Sequence, residues 1–416
     1  MAMDIRPNPL IDNSLQGNSG GKMPDENKMR LIVVGIIVVV LVLIGVVWYA
    51  TGAPGASEGV KRSIGKLPTA GDRALSNNSG NNGNGLSFGA PTPQSNAGES
   101  PLSGIACANA NKRPIAVMIG SDPINRPDSA FSLADVIVEM PALTSNVTRL
   151  MAVFQCNEPR EIGSIRSARH DFLFLAKGMD AVITHWGGSY WALNMIKNES
   201  QVYDSISALG TGNQAFFRKS NLPAPYNGFT SYERIWDALV KAGYHTTNRA
   251  TPYLHTDDAP RDARGAGGTL DIGWPGSMRT RYVYNLEKNS YERYWGGTRH
   301  IDSLDNNSID PKVLAVVYTD QRLANGPGGY NDVDIEGSGK AEIYQNGQVI
   351  QATWSKSVVD KQDPLHFKDA SGKEISFVRG QLWISVVDKS TTVRWTPGSS
   401  APAELQTGDT PASLGG

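Results

Sequence analysis

The hydrophobic pattern divides the chain into stretches of different character. Residues 31–50, LIVVGIIVVVLVLIGVVWYA, are twenty residues without a charge, long enough to cross a bilayer as one helix. Residues 51–111 are rich in Gly, Ser, Asn and Pro, and residues 396–416 resemble them, so both are expected to be disordered. Short apolar runs between residues 112 and 395 predict the folded part.

The basic residues around the apolar segment predict its orientation. Those that precede it are Arg6, Lys22, Lys28 and Arg30. The first ones after it are Lys61 and Arg62, so the positive-inside bias places residues 1–30 in the cytoplasm and the folded part outside. A cleavable signal peptide is the alternative, but its apolar core is about 7–15 residues long. We therefore expect a single-pass, uncleaved anchor in the cell membrane.

Strands and helices alternate between residues 112 and 255. The runs RPIAVMIG, DVIVEM and TRLMAVFQ are apolar and rich in β-formers, whereas DFLFLAKGM and WALNMIKN have helical spacing. The stretch TSYERIWDALVKAGYH is the best helix, with Thr230 as its cap, Glu233 three residues on and Gly243 at its end. These patterns predict an α/β N-terminal domain.

The pattern changes to strands after a connection at residues 256–275. Runs such as TRYVYNLEK, VLAVVYTD and LWISVV are rich in β-formers. Asn346-Gly347 lies between two alternating runs, which is the strongest short-range hairpin signal. Residues 276–395 are therefore expected to form a smaller, mostly-β domain.

Composition and charge narrow the functional classes. The chain has 416 residues, of which 40% are hydrophobic, enough for two folded units. Thirty-nine Lys and Arg face forty Asp and Glu, giving a net charge of −1, and no basic block suggests a nucleic-acid surface. No motif predicts a cofactor, and the sequence does not indicate protein partners.

The two cysteines, Cys107 and Cys156, both follow the apolar segment, on the side of the membrane where oxidation is permitted. A disulfide between them would close a loop of about fifty residues and contribute on the order of 4 kcal/mol. Two free thiols, or a bridge to another chain, are the alternatives.

Two arginines lie at the expected start of a helix, in the stretch EIGSIRSARHDFLFLAKG at residues 161–178. The N-terminus of a helix is already positive and favours acids. If the helix begins at Ser164 or Ser167, its free N–H groups could bind one anion together with Arg166 and Arg169. The alternative is that both arginines pair with acids such as Glu161 or Asp171.

A Gly-rich turn follows a strand at His185-Trp-Gly-Gly-Ser189. Ligands of α/β sheets bind at the carboxyl ends of strands, so His185, Gly187, Gly188 and Ser189 are candidates for binding. Ser189 lies where a nucleophile elbow carries its serine, but Trp191 replaces the final glycine of that motif. A tight turn without function is the alternative.

A third group of charged residues lies near the ends of the first predicted strands. Its members are Asp122, Arg126, Asp135, Glu139 and Arg149. Glu139 is a candidate general acid or base if it is partly buried. Pairing of Glu139 with Arg149 or Arg166 is the structural alternative.

No pattern predicts a metal site. The histidines form no H-E-x-x-H pair, and the nearest local cluster, His255 with Asp257 and Asp258, is typical of a solvated loop. Residues 337–340, Gly-Ser-Gly-Lys, lack the spacing of a phosphate-binding loop, so we expect a turn or a bulge there.

These segments resemble one bacterial family, the YerB-like lipoproteins, over residues 112–392. The resemblance is carried by RPIAVMIG, ADVIVE, TRLMAVF, IGSIRSAR, DAVITHWGGS and VDIEGSGKAEIYQNGQVIQATWSK. It implies an N-terminal α/β domain, a smaller C-terminal domain, an envelope location and a pocket, but no established reaction. A transmembrane anchor would replace the lipid of the family.

The chain departs from the family pattern at three places. The family carries Asp-Asn where this chain has Gly120-Ser121, Glu-Gly-Gly where it has residues 144–146, and His-Asn where it has Tyr226-Asn227. A catalytic role of those family residues would therefore not transfer to this chain.

Three functions are compatible with these patterns. The first is binding of an anionic or glycan-like envelope ligand, such as a cell-wall polymer, by Arg149, Ser164, Arg166, Arg169 and the turn at residues 187–189. The second is hydrolysis or transfer on cell-wall glycan or phosphodiester bonds, with Glu139 or His185 as acid or base. The third is a protein-interaction scaffold at the cell surface.

Overall fold

The computed structural model describes residues 98–143, 147–210, 212–326 and 328–398. The expected cytoplasmic tail, the apolar segment at 31–50 and most of the expected linker lie outside these residues, as does the C-terminal tail from residue 399. No helix among the described residues is long and apolar enough to cross a membrane.

Strands make up most of the regular structure. Up to residue 256 they are β1 (Ile115–Gly120), β2 (Val136–Leu143), β3 (Val147–Phe154), β4 (Ile162–Gly163), β5 (Val182–His185), β6 (Ser205–Ser207), β7 (Phe217–Arg218), β8 (Gly228–Thr230) and β9 (His255–Thr256). The later strands are β10 (Gly268–Ile272), β11 (Thr280–Asn285), β12 (Ser290–Trp295), β13 (Thr298–Arg299), β14 (Val313–Thr319), β15 (Gln321–Leu323), β16 (Asn331–Val333), β17 (Gly337–Gln345), β18 (Gln348–Lys356), β19 (His366–Asp369), β20 (Phe377–Val378), β21 (Leu382–Asp388) and β22 (Val393–Pro397).

The described residues contain three α-helices: α1 (His170–Gly178), α2 (Tyr190–Asn198) and α3 (Tyr232–Lys241). The predicted cap of α3 is wrong by one residue. Ser231 caps the helix, because its hydroxyl accepts from the backbone N–H of Arg234. Thr230 is instead the last residue of β8, and its hydroxyl donates to the carbonyl of Ala215 at 2.7 Å.

A ten-stranded sheet forms the centre of the fold, in the order β19-β18-β17-β14-β21-β2-β3-β1-β5-β6. Its two halves come from the two predicted domains, and they join where β2 pairs in parallel with β21. The central sheet therefore continues across the predicted domain boundary at residues 256–275. Strand β10, of a second sheet, lies within those residues. The fold is β-rich with few helices, so the α/β prediction is confirmed in part.

The two faces of the central sheet bury different partners, because successive side chains of a strand point to opposite sides. Met118 of β1 packs with Phe172 and Leu173 of α1 on one face. Ile119, on the opposite face, belongs to a core that includes Tyr232 of α3. The same core contains residues of a second, five-stranded sheet, in the order β13-β12-β11-β10-β22.

Residues before the expected start at residue 112 already belong to the folded part. Leu102 is 2% exposed and belongs to the core. A disulfide joins Cys107 to Cys156, with the two Cα atoms 5.5 Å apart. At the other end, β22 reaches Pro397, so its last residues extend into the predicted disordered tail.

The predicted hairpin at Asn346-Gly347 is confirmed. It connects β17 to β18, with Gln345 opposite Gln348, and both turn residues have positive φ, 51° and 67°, as a two-residue hairpin turn requires. The segment Gly337–Lys340 is neither a phosphate loop nor a turn. It is the start of strand β17 and pairs with the end of β18.

We expect the double substitution Cys107→Ser, Cys156→Ser to lower the free energy of unfolding by about 4 kcal/mol, because the bridge closes a long loop in the unfolded chain. Urea denaturation measures this loss. The unmodified protein in reductant is the matched control and should lose a similar amount. An unchanged midpoint in both samples would contradict a stabilising role for the bridge.

Candidate anion-binding site

The segment at residues 162–169 lies between the end of β1 and the Gly-rich turn. On one side, Gly120 donates to the carbonyl of Ser164 at 3.1 Å, and Arg166 donates to Met118 at 2.8 Å. On the other side, Ala168 donates to the carbonyl of Gly187 at 2.9 Å. The segment is thus fixed by backbone hydrogen bonds to two separate elements.

These backbone bonds overturn the predicted helix start at Ser164 or Ser167. Helix α1 begins at His170, and Arg169 is its N-cap without a side-chain capping bond. Ile165, Arg166 and Ala168 are not helical, because their N–H groups donate to the carbonyls of Gly228, Met118 and Gly187. Arg166 therefore lies in an irregular segment, outside the helix terminus.

The segment brings Arg166 and Arg169 close to Arg149, which lies opposite Gly120 in the pairing of β3 with β1. These three residues are called the arginine cluster below. Arg149 is only 3% exposed and Arg169 only 6%. Burial lowers the pKa of Arg149 to about 9, and the charges of Arg169 and Arg166 contribute. Burial also lowers the pKa of Arg169.

The acids that were considered as partners for the arginines bind other residues. Glu161 pairs with Lys219 at 2.9 Å, and Asp171 contacts His170 Nε2 at 3.1 Å. Asp122 is the carboxylate that forms an ion pair with the cluster among the described residues, and its Oδ2 lies 3.9 Å from Arg166 Nη2. The arginine cluster therefore has more positive charge than its neighbours neutralise.

Carbonyl groups and aromatic rings satisfy part of the arginine cluster. Arg166 Nη1 donates to the carbonyl of Pro225 at 3.2 Å, and Arg169 Nη1 donates to Ala168 at 2.9 Å. The Tyr226 ring lies 4.8 Å from Arg166 Cζ, and the Tyr330 ring lies 4.5 Å from Arg169 Cζ. Sequence reasoning missed Tyr330 because no local pattern connects it with the arginines.

Several buried polar atoms of the site have no hydrogen-bond partner. They are Arg149 Nε and Nη1, Arg166 Nε, Arg169 Nε, Ser164 Oγ, Asp122 Oδ2 and both amide atoms of Asn125. Asn125 was not predicted; its amide nitrogen lies 2.1 Å from the position that a Cβ of Gly120 would take. Gly120 therefore lets Asn125 and the arginine cluster come together.

The Gly-rich turn supports the arginine segment through its backbone. Ser189, which is fully buried, caps α2 by accepting from the N–H of Ala192 at 3.2 Å. His185 Nδ1 lies 2.7 Å from the carbonyl of Gly187, and burial lowers the pKa of His185. Gly187 has φ +72°, which favours glycine. These contacts give Ser189 and His185 structural roles.

Glu139 forms a buried ion pair with Arg293 of β12, instead of the expected pair with Arg149 or Arg166. The two side chains are 0% exposed, and Arg293 Nη2 donates to Glu139 Oε2 at 2.9 Å. Thr148 Oγ1 donates to the other carboxylate oxygen at 3.0 Å. Sequence reasoning missed Arg293, although alternation along β12 places it on the same face as the buried Tyr291 and Trp295.

The other charged candidates do not join the arginine cluster. Asp135 accepts hydrogen bonds from Ser103 Oγ at 2.6 Å and from the N–H of Gln155 at 2.8 Å. The guanidinium of Arg126 lies over the Trp295 ring at 3.8 Å. These contacts are sufficient to explain both residues structurally.

The two aspartates near His255, which the sequence places in a solvated loop, pair with basic residues. Asp257 pairs with Arg379 and Asp258 pairs with Lys312. A different group, His170, Asp171 and Asp332, brings possible ligand atoms within 4.8 Å of one another. In this group Asp332 also pairs with Arg322 at 2.5 Å, so an arginine already neutralises it.

A groove of about 590 Å³ lies along α3, away from the residues singled out in the sequence. Its charged and polar lining includes Ser205, Gln214, Glu233, Arg234, Asp237 and Lys241. None of the predicted site residues lines this groove. The groove is lined by both acidic and basic side chains, whereas the arginine cluster consists of basic side chains alone.

The fold and the site define a β-rich protein in which both halves of the chain share one sheet beside a buried arginine cluster. The family models described as "Protein of unknown function (DUF3048)" match this chain, the N-terminal domain at residues 102–245 and the C-terminal domain at residues 270–384. The chain belongs to the DUF3048 family.

Two comparisons agree with this assignment. The chain is 30% identical to "Putative lipoprotein YerB" of Bacillus subtilis (strain 168) over 294 residues, which cover 70% of this chain and 86% of that protein. The crystal structure of YerB from Bacillus subtilis matches with a TM-score of 0.63 at 26% identity, covering 71% of this chain and 99% of that chain. The resemblance seen in the sequence is confirmed.

We expect Glu139→Leu and Arg293→Met each to lower the free energy of unfolding by about 3–5 kcal/mol, because each leaves a buried charge without its partner. The double variant should lose less than the sum of the two losses. Urea denaturation of all four proteins measures this coupling. Strictly additive losses would show that the two charges do not stabilise each other.

Proposed function

We propose that this chain is a membrane-anchored, extracytoplasmic protein of the cell envelope that binds an anionic group of an envelope ligand at the arginine cluster. Arg149, Arg166 and Arg169 supply the charge, and the segment at residues 162–169 holds two of them in place. The Gly-rich turn acts through its backbone, by fixing this segment.

The observation that carries the proposal is the state of Arg149. Its side chain is 3% exposed, its Nε and Nη1 make no hydrogen bond, and its nearest charged neighbours include two more arginines. A buried ion without a partner costs several kcal/mol. A bound anion would accept hydrogen bonds from the cluster and reverse this repulsion.

Several features support the proposed location. The charge-free segment at residues 31–50 is long enough to span a bilayer, and the basic residues before it favour an N-terminus in the cytoplasm. The disulfide between Cys107 and Cys156 is compatible with an oxidising compartment. A relative bears the name lipoprotein, which also fits attachment to a membrane.

The residues proposed as acid, base or nucleophile for the enzymatic alternative have structural contacts that account for them. Glu139 is fully buried and paired with Arg293, and His185 is 1% exposed with its Nδ1 bound to a backbone carbonyl. Ser189 is a helix cap. No contact among the described residues favours the scaffold alternative over ligand binding.

The test is retention of the exported part on purified cell-wall polymer. We expect Arg166→Ala with Arg169→Ala to reduce the affinity at least about tenfold, since hydrogen bonds to charged groups contribute about 1.5–3 kcal/mol each. Arg281→Ala is the matched control, because Arg281 is an exposed arginine that pairs with Asp271 in the second sheet.

The melting temperature separates loss of binding from loss of fold. Replacement of Arg166 and Arg169 removes two of three like charges, which offsets part of the packing that is lost, so the melting temperature should stay within a few degrees. Unchanged retention of the double variant, with the fold intact, would refute the proposed function.

A further inference from the structure

We propose that the arginine cluster receives a terminal phosphoryl group with two negative charges, as in a phosphomonoester or the end of a diphosphate. Under this proposal, carboxylates and phosphodiesters bind more weakly than a terminal phosphoryl group. This inference rests on the proposed function, because it specifies the chemistry of the same anion site.

The charges of the site favour a dianion. Arg149, Arg166 and Arg169 are neighbours, and the carboxylate that faces both Arg149 and Arg166 is Asp122. The three guanidinium groups therefore exceed this carboxylate by two positive charges. A phosphomonoester has about −1.5 to −2 charges at pH 7, whereas a carboxylate or a phosphodiester has one.

Other groups near the cluster offset only part of this excess. Tyr330 and Tyr226 face the arginines with aromatic rings. Asp171 lies near Arg169, but its carboxylate already contacts His170 Nε2 and accepts from the N–H of Val333, both at 3.1 Å. Asp171 is thus shared with groups outside the cluster, and positive charge remains for a ligand.

The number of unpartnered hydrogen-bond donors also favours a terminal phosphoryl group. Six buried donor atoms of the site have no partner: Nε and Nη1 of Arg149, Nε of Arg166, Nε of Arg169, Oγ of Ser164 and Nδ2 of Asn125. The unpartnered acceptors there are Asp122 Oδ2 and Asn125 Oδ1. Asp128, beside Ser164, also has two unpartnered carboxylate oxygens, but burial raises its pKa well above the ordinary value. A carboxylate offers two acceptor oxygens, whereas a terminal phosphoryl group offers three.

The exposure of the side chains indicates the direction of approach. Arg166 is 18% exposed and Asp122 is 21% exposed, so these two lie at the surface of the site. Arg149 lies deeper, at 3% exposed. A terminal group, attached to its ligand at one end only, can enter past Arg166 with its free oxygens first. A diester, substituted on both sides, has no such free end.

The experiment compares four probes at equal ionic strength by isothermal titration calorimetry with the exported part. The probes are inorganic phosphate, pyrophosphate, dimethyl phosphate and acetate. We expect phosphate and pyrophosphate to bind at least about tenfold more tightly than the two monoanions. The preference for phosphate should fall between pH 7.5 and pH 5, because its second proton binds with a pKa of about 6.

The substitution Asp122→Asn should change stability and ligand affinity in opposite directions. Removal of this carboxylate should lower the melting temperature, because it is the negative charge beside the cluster. The same change should increase affinity for pyrophosphate roughly threefold or more, because one competing charge is gone. A purely structural role for Asp122 would not increase affinity. Arg281→Ala should leave both quantities unchanged.

The outcomes separate the two proposals. If dimethyl phosphate or acetate binds as tightly as phosphate, the dianion inference is wrong and the proposed function stands. The same holds if small phosphates fail to bind while the arginine variants lose retention on wall polymer. If no probe binds and retention is unchanged in the arginine variants, both proposals are wrong.

Discussion

The buried pair between Glu139 and Arg293 is the interaction on which the two sheets depend. Glu139 lies on β2 at the middle of the central sheet, and Arg293 lies on β12 of the second sheet. Both charges are inaccessible to water, so neither can stay ionised at low cost unless the other lies within bonding distance. The pair therefore fixes how the sheets meet. The surrounding rings of Trp383 and Trp295 lie 4.2 and 4.7 Å from the Arg293 guanidinium and exclude water.

A second set of charges in the same core has the opposite character. The arginine cluster lies at the end of β1, where Gly120 faces Arg149 across the pairing with β3. Arg149 and Arg169 are buried nearly as Arg293 is, but the carboxylate beside the cluster is partly exposed and lies 3.9 Å from Arg166. The guanidinium of Arg293 is paired and stabilises the fold, whereas the three guanidinium groups of the arginine cluster are incompletely paired. The first stabilises the fold, and the second is the basis of the proposed anion site.

Local patterns in the sequence predicted the elements well and their partners poorly. The strand β1, the hairpin at Asn346-Gly347 and the helix at α3 depend on nearby residues, so spacing revealed them. The prediction of a helix start near Ser164 failed because Ile165, Arg166 and Ala168 donate their N–H groups to residues distant in sequence, and distant pairing has no local signal. Arg293 was missed for the same reason. Arg149, Arg166 and Arg169 were identified individually, but their convergence required the fold.

The parallel pairing of β2 with β21 has a consequence for the growing chain. About 240 residues separate these neighbours in sequence, and β2 is covered on that side only when β21 arrives. Until then the first half presents an apolar, unpaired edge, which is the kind of edge that recruits other chains. A half-made molecule is thus prone to aggregation, and neither family region completes the central sheet without the other.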